Sequence, residues 1–121
     1  MKVTEHQILE MIRKGEGIAT EFKTCRNQIN RNVFETVCAF LNRHSGAILP
    51  GVRDDGSIQG INPDIVAQVC KDFVTTMNNS QKLSPPAYLS IDEVELKKKK
   101  LLHIHVPESS QVHRCNGTFF E

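Results

Sequence analysis

The stretch Gly46–Ile61, GAILPGVRDDGSIQGI, decides the fold. Two apolar runs, Ala47–Val52 and Ser57–Ile61, flank Asp54-Asp55-Gly56. Asp-Gly between such runs predicts a hairpin, because glycine tolerates the positive φ of a tight turn. Pro50 has no N–H to give to a strand ladder, which predicts an edge position or a bulge for it.

Upstream of the hairpin, Asn32 with Glu35 reads as a helix start. Val33, Phe34, Val37, Cys38, Phe40 and Leu41 then form a broad apolar stripe, so this helix should be buried, and Gly46 is its plausible stop. Ile18–Lys23 reads as a short strand, and Thr24–Asn30 as a polar loop. At the start of the chain, Thr4 and Gln7 fit a capping box before Ile8, Leu9, Met11 and Ile12, and Gly15 and Gly17 end that helix.

Downstream, Asn62-Pro63 is a helix start. Ile65, Val66, Val69, Cys70, Phe73, Val74 and Met77 recur at helical spacing until Asn78-Asn79-Ser80. After Pro85-Pro86, Tyr88–Leu96 and Leu101–Val106 read as a second hairpin around Lys97–Lys100. Thr118–Phe120 reads as a last strand. The order predicts an α/β (α+β) fold, a mixed sheet built from hairpins with about three helices packed on it. Residues 1–121 are expected to form a single domain.

A hydrophobic content of 39% and a charged content of 24% are those of a globular protein. The formal net charge is +1, so nucleic-acid binding would need a local basic patch rather than a global field. No signal-peptide pattern opens the chain, and no apolar run approaches the roughly 18 residues of a membrane span. Cys25, Cys38, Cys70 and Cys115 are far apart with no Cys-x-x-Cys pair, which reads as reduced thiols in a cytoplasmic protein with no membrane partner.

Four groups of residues could carry chemistry. Glu16, Glu21, Asp54 and Asp55 come from separate elements. Carboxylates so gathered can hold Mg²⁺ or Mn²⁺ and activate water against a phosphodiester, although Asp54 and Asp55 also suit a plain turn. Lys23, Arg26, Asn27, Arg31, Arg43, His44 and Arg53 could contact phosphates or only solvate a surface. Lys97, Lys98, Lys99 and Lys100 would form a positive knob at a hairpin tip, for a nucleic-acid backbone or for solubility alone. His103 and His105 share a strand face, and His113 and Cys115 could complete a zinc set, but the spacing matches no standard zinc framework. The chain has no Walker A motif, dinucleotide fingerprint, GxSxG elbow or HExxH.

Several pieces together resemble the AlbA-like domain of the Schlafen family. They are Glu16 with Glu21-Phe22-Lys23 five residues on, the helix Val37–Asn42 (VCAFLN), the Gly46–Ile61 stretch, and HIHVPESSQVH from residue 103 to 113. They span about residues 16 to 120 in the family's order. Two positions depart from the family pattern, Ser45-Gly46 for a Gly pair and Pro50 for an aliphatic residue. The resemblance implies a nucleic-acid-binding module, DNA or RNA, of the kind found in bacterial transcriptional regulators, where it is the N-terminal part of a longer protein. In some relatives it implies a metal-dependent endoribonuclease, with Glu16 and Glu21 as the glutamate pair and Asp54 or Asp55 as the aspartate. An older description of the family implies ATP binding. The binding reading needs no cofactor and rests on Lys23, Arg26, Arg31, Arg53 and Lys97–Lys100. An exposed edge strand could also pair across a two-fold axis, making a homodimer a candidate assembly.

Overall fold

The computed structural model describes residues 3–121. In chain order the elements are α1 (Glu5–Lys14), β1 (Thr20–Lys23), α2 (Asn32–Arg43), β2 (Gly46–Pro50), α3 (Val66–Met77), β3 (Leu83–Ser84), β4 (Ser90–Leu96), β5 (Lys99–Val106), β6 (Arg114–Cys115) and β7 (Thr118–Phe119). The main sheet runs β1-β2-β5-β4, with β1 and β2 parallel and the other pairs antiparallel. A small antiparallel sheet runs β3-β6-β7. This is the expected α+β fold, with three helices and a mixed sheet.

Strand alternation sends side chains to two faces, and each face finds its own helices. Ile48, Ile104 and Val106 pack under α2 and α3, against Val33, Val37, Cys38, Leu41, Phe73 and Met77. Phe22, Leu49, Leu101, Val94 and Leu96 pack on the opposite side around Ile8 of α1. Strand β5 is therefore buried on both faces. The capping box of α1 forms as expected, Thr4 N–H donating to Gln7 Oε1 at 2.8 Å and Gln7 N–H to Thr4 Oγ1 at 3.2 Å.

The stretch Gly46–Ile61 departs from the expected hairpin. Strand β2 pairs with β1 and β5, not with its own return leg, which meets the residues after β2 at the bridge Val52↔Ile58 and through Arg53 N–H on Ser57 O at 2.9 Å. Pro50 lies on a central strand rather than an edge. Ala47 N–H bonds Ala19 O and Gly51 N–H bonds Lys23 O, so odd-numbered residues donate toward β1 and even-numbered ones toward β5. Pro50 would have to donate toward β5, and the β2–β5 ladder stops at Ile48↔Ile104. Gly51 then turns the chain at φ +103°. A tight turn follows, with Gly56 N–H on Arg53 O at 2.8 Å and Gly56 at φ +87°. The return leg docks on Gly51 O and on Lys100 O instead of forming a strand.

Two other boundaries move. Helix α2 already ends at His44, and Gly46 belongs to β2, where a Cβ would meet the Phe40 ring at 2.8 Å. The Asn62-Pro63 start is a turn, Asn62 Oδ1 accepting from Asp64 N–H, and α3 begins at Val66.

Asn42 of α2 ties the C-terminal segment to the body. Its Nδ2 donates to His113 O at 2.8 Å and Phe120 O at 2.7 Å, and its Oδ1 accepts from His113 N–H at 2.7 Å. The His113 ring sits between Pro85 O and Ser109 Oγ, each at 2.7 Å. Every polar group in this clamp has a partner, which is the condition for burying it without loss of stability.

Candidate nucleic-acid interface

Gly15 ends α1 at φ +81°, its N–H bonding Met11 O and Ile12 O. Gly17 then bridges Thr20, so residues 16–20 form a tight loop that lays Glu16 beside β1. Glu16, Glu21 and Asp54 thereby line one pocket, with Lys23, Thr24, Asn30 and Asn32. Partial desolvation raises the Glu16 pKa first, and the nearby Glu21 and Asp54 carboxylates raise it further, while a bond from the Phe22 backbone lowers it. Lys23 Nζ stands 3.8 Å from Glu21 Oε1. Asp55 is not in this pocket. Its Oδ1 accepts from Ser57 N–H at 2.9 Å and from Ser57 Oγ at 2.6 Å, and those bonds lower its pKa.

Two further hollows continue from the acidic pocket. The next is walled by Thr24, Cys25, Arg26, Asn27, Gln28, Asn30 and Gln59, sharing Thr24 and Asn30 with it. The third is lined by Arg26, Gln59, Gly60, Ile61, Pro63, Glu95 and Lys98–Lys100, sharing Arg26 and Gln59 with the second. Together the three adjoining hollows form a trough, with three carboxylates at one end and Arg26 and the lysines, Glu95 among them, at the other. The return leg of Gly46–Ile61 builds its wall. Gln59 Oε1 accepts from Cys25 N–H at 2.8 Å, and Arg26 Nη1 donates to Gly60 O at 3.3 Å.

The expected cations divide. Arg26 and Lys98–Lys100 meet in the trough, and Lys23 lies at its acidic end. Arg31 precedes α2 between Asn30 and Asn32, which line the acidic pocket. Arg53 and Lys97 instead line a hollow against Leu9 and Ile12 of α1, which Lys99 borders as well. Arg43 and His44 lie at the far end of α2, about 16 Å along the axis from its start. The lysine knob is also partly neutralised. Lys100 Nζ pairs with Glu93 at 3.1 Å and Glu95 at 3.6 Å, and Lys99 Nζ donates to Ile58 O at 3.1 Å. Lys97 and Lys98 form the turn itself, at φ 52° and 66°. This is the left-handed conformation that hairpins usually assign to Asn-Gly.

The zinc set is not assembled. His113 and Cys115 belong to the clamp and the core under α2, while His103 and His105 lie on the α1 side of β5. His103 is buried, its Nδ1 has no partner, and burial lowers its pKa against the pull of Asp92. Among the described residues no group of three or more His, Cys, Asp or Glu is placed to hold a metal ion. All four cysteines are free thiols.

Sequence reading missed the neutral wall of the trough: Thr24, Gln28, Asn30, Asn32 and Gln59. The signal was present, since Asn27, Gln28, Asn30 and Asn32 place four amides within residues 24–32.

The fold and trough define a small α+β module with a charged, solvent-open face. The family model described as Schlafen, AlbA_2 matches residues 16–120, and the chain belongs to that family. Among solved structures, the N-terminal domain of a RecG-related protein from Nitrosomonas europaea has the same fold. It aligns with TM-score 0.65 and 23% identity over 88% of this chain and 74% of that one. A Corynebacterium diphtheriae protein aligns with TM-score 0.61 and 14% identity over 92% of this chain but only 27% of its own. No curated protein matches the chain in sequence. Among the described residues no helix is long and apolar enough to cross a membrane.

Proposed function

We propose that the chain is a nucleic-acid-binding domain of a transcriptional regulator, and that the trough is where a phosphodiester backbone lies. The carrying observation is the continuity of the trough, in which Arg26 and Lys98 meet Lys99 and Lys100 at one end. A net charge of +1 supplies no general attraction to a polyanion, so a local cluster of this kind has to carry the binding. The amides and hydroxyl along the wall hydrogen-bond phosphate and sugar without reading sequence. Fluorescence anisotropy of a labelled single strand over a range of salt tests this. Binding at low salt that weakens steeply as salt rises is expected, because each neutralised phosphate releases counterions. No binding at low salt, or binding indifferent to salt, removes the reading.

A second reading, a metal-dependent endoribonuclease, is favoured by the convergence of Glu16, Glu21 and Asp54 and by the raised Glu16 pKa. Three hard oxygen donors are the right chemistry for Mg²⁺ or Mn²⁺. As placed, however, they do not form a three-donor cation site. Incubation with structured RNA and Mn²⁺, beside Glu21→Ala, decides. Cleavage lost in Glu21→Ala supports the enzyme, and equal cleavage by both removes it.

A further inference from the structure

A cleft of about 320 Å³ opens between α2, α3 and the loop after β1. The half-buried Phe34 ring, stacked at 5.8 Å and 18° on the buried Phe73 ring, forms its apolar wall. Its polar groups are Asn27, Gln28, Gln68, Asp72 and Thr76; Gln68 Nε2 donates to Asp72 Oδ1 at 2.7 Å, and the Thr76 hydroxyl donates to Asp72 O at 2.9 Å. Asn27 and Gln28 also line the middle of the trough, so the cleft adjoins it. The volume is at the lower end for small-molecule pockets, which run from about 300 Å³, and suits a flat ring better than a larger ligand.

Resting on the binding reading above, we propose that this cleft receives an unpaired nucleobase splayed from a strand whose backbone follows the trough. Unpaired bases are commonly held this way, stacked on aromatic side chains and hydrogen-bonded on their edges. The rim also implies a preference among bases. Asn27, Gln28 and Gln68 offer both donors and acceptors, but a carboxylate only accepts. One Asp72 oxygen is engaged by Gln68; the other can accept from the exocyclic amine of adenine, whereas the N3–H of uracil or thymine lies between two carbonyl oxygens that the carboxylate repels. Duplex nucleic acid, with its bases stacked and paired, cannot fill the cleft.

The test compares single strands of about twelve nucleotides, oligoadenylate and oligouridylate, by anisotropy, with the duplex and free adenosine alongside. Oligoadenylate is expected to bind roughly tenfold tighter than oligouridylate, with the duplex weaker than oligoadenylate. Asp72→Asn, at an exposed position, should level the two strands while leaving the salt dependence unchanged. Phe34→Leu should weaken both strands roughly five- to tenfold through lost stacking. Equal binding of both strands, with both variants silent, overturns the cleft and leaves the trough standing. No strand binding even at low salt overturns the trough reading and this inference with it. Adenosine binding as tightly as the strand overturns the strand as the source of the base.

Discussion

The Asn42–His113 clamp and the polar trough are both rich in polar side chains, and they use them in opposite ways. In the clamp every donor meets an acceptor within the protein, from Asn42 to both nitrogens of the His113 ring. In the trough three carboxylates line one end, and Lys98 at the other end takes a backbone conformation that favours glycine. The clamp turns polar groups into stability. The trough keeps them facing solvent and gives up stability to do so. Departures of this kind from local consistency concentrate where a surface has something to bind.

The sharpest break of this contrast is at Asn42. Asn42→Ala removes the hydrogen bonds to His113 and Phe120 and leaves the His113 N–H and the Phe120 carbonyl without these partners, while the His113 carbonyl keeps Cys38 Sγ at 3.1 Å. A loss of about 2–4 kcal/mol in unfolding free energy is expected by urea titration, since each orphaned buried group costs its desolvation. Strand affinity, measured well below the melting temperature, should not change. The opposite trade is expected at the lysine turn. Lys98→Gly relieves a residue at φ 66° and should stabilise the protein by about 1 kcal/mol, while weakening nucleic-acid binding. A Lys98→Gly protein that is more stable and binds as tightly would show that the strain has no tie to binding.

A smaller effect is expected at Glu16. Its pKa is raised in the folded protein, so the folded state holds the proton more strongly than the unfolded chain. Stability therefore falls as pH rises from the ordinary value of 4.5 through the folded value, and the cost is fully present at neutral pH. Glu16→Gln should raise the Tm slightly at pH 7. The gain should vanish in acid below the ordinary value, where both states are protonated.

Much of the fold was legible because it is set locally. The capping box of α1, the apolar stripes of α2 and α3 and the hairpin around Lys97–Lys100 follow from neighbouring residues, although its turn is only Lys97–Lys98 and β5 already begins at Lys99. The fate of Gly46–Ile61 did not, because it was settled by strands distant in sequence. β1 and β5 took both edges of β2, and the return leg was left to Gly51 and Lys100. The two-residue strands β3 and β6 are too short to leave a periodicity and exist only through pairing, β6 with β3 on one side and β7 on the other. In the site, resemblance picked out Glu16, Glu21 and Asp54, and the structure brings them to one pocket. The wall was missed because amides read equally well as loop residues. The knob was over-read because Glu93 and Glu95, which neutralise Lys100, lie across the ladder rather than nearby in sequence.

If the trough carries the binding, the position of a charge matters more than the net charge. The most direct test is a pair of matched charge reversals, Arg26→Glu with Lys98→Glu in the trough and Lys82→Glu with Arg114→Glu on the small sheet beside the clamp. All four positions are exposed, and both pairs change the net charge equally. The trough pair is expected to abolish measurable single-strand binding at low salt, and the small-sheet pair to weaken it only slightly. Equal losses from both pairs would mean that net charge, and not the trough, governs binding.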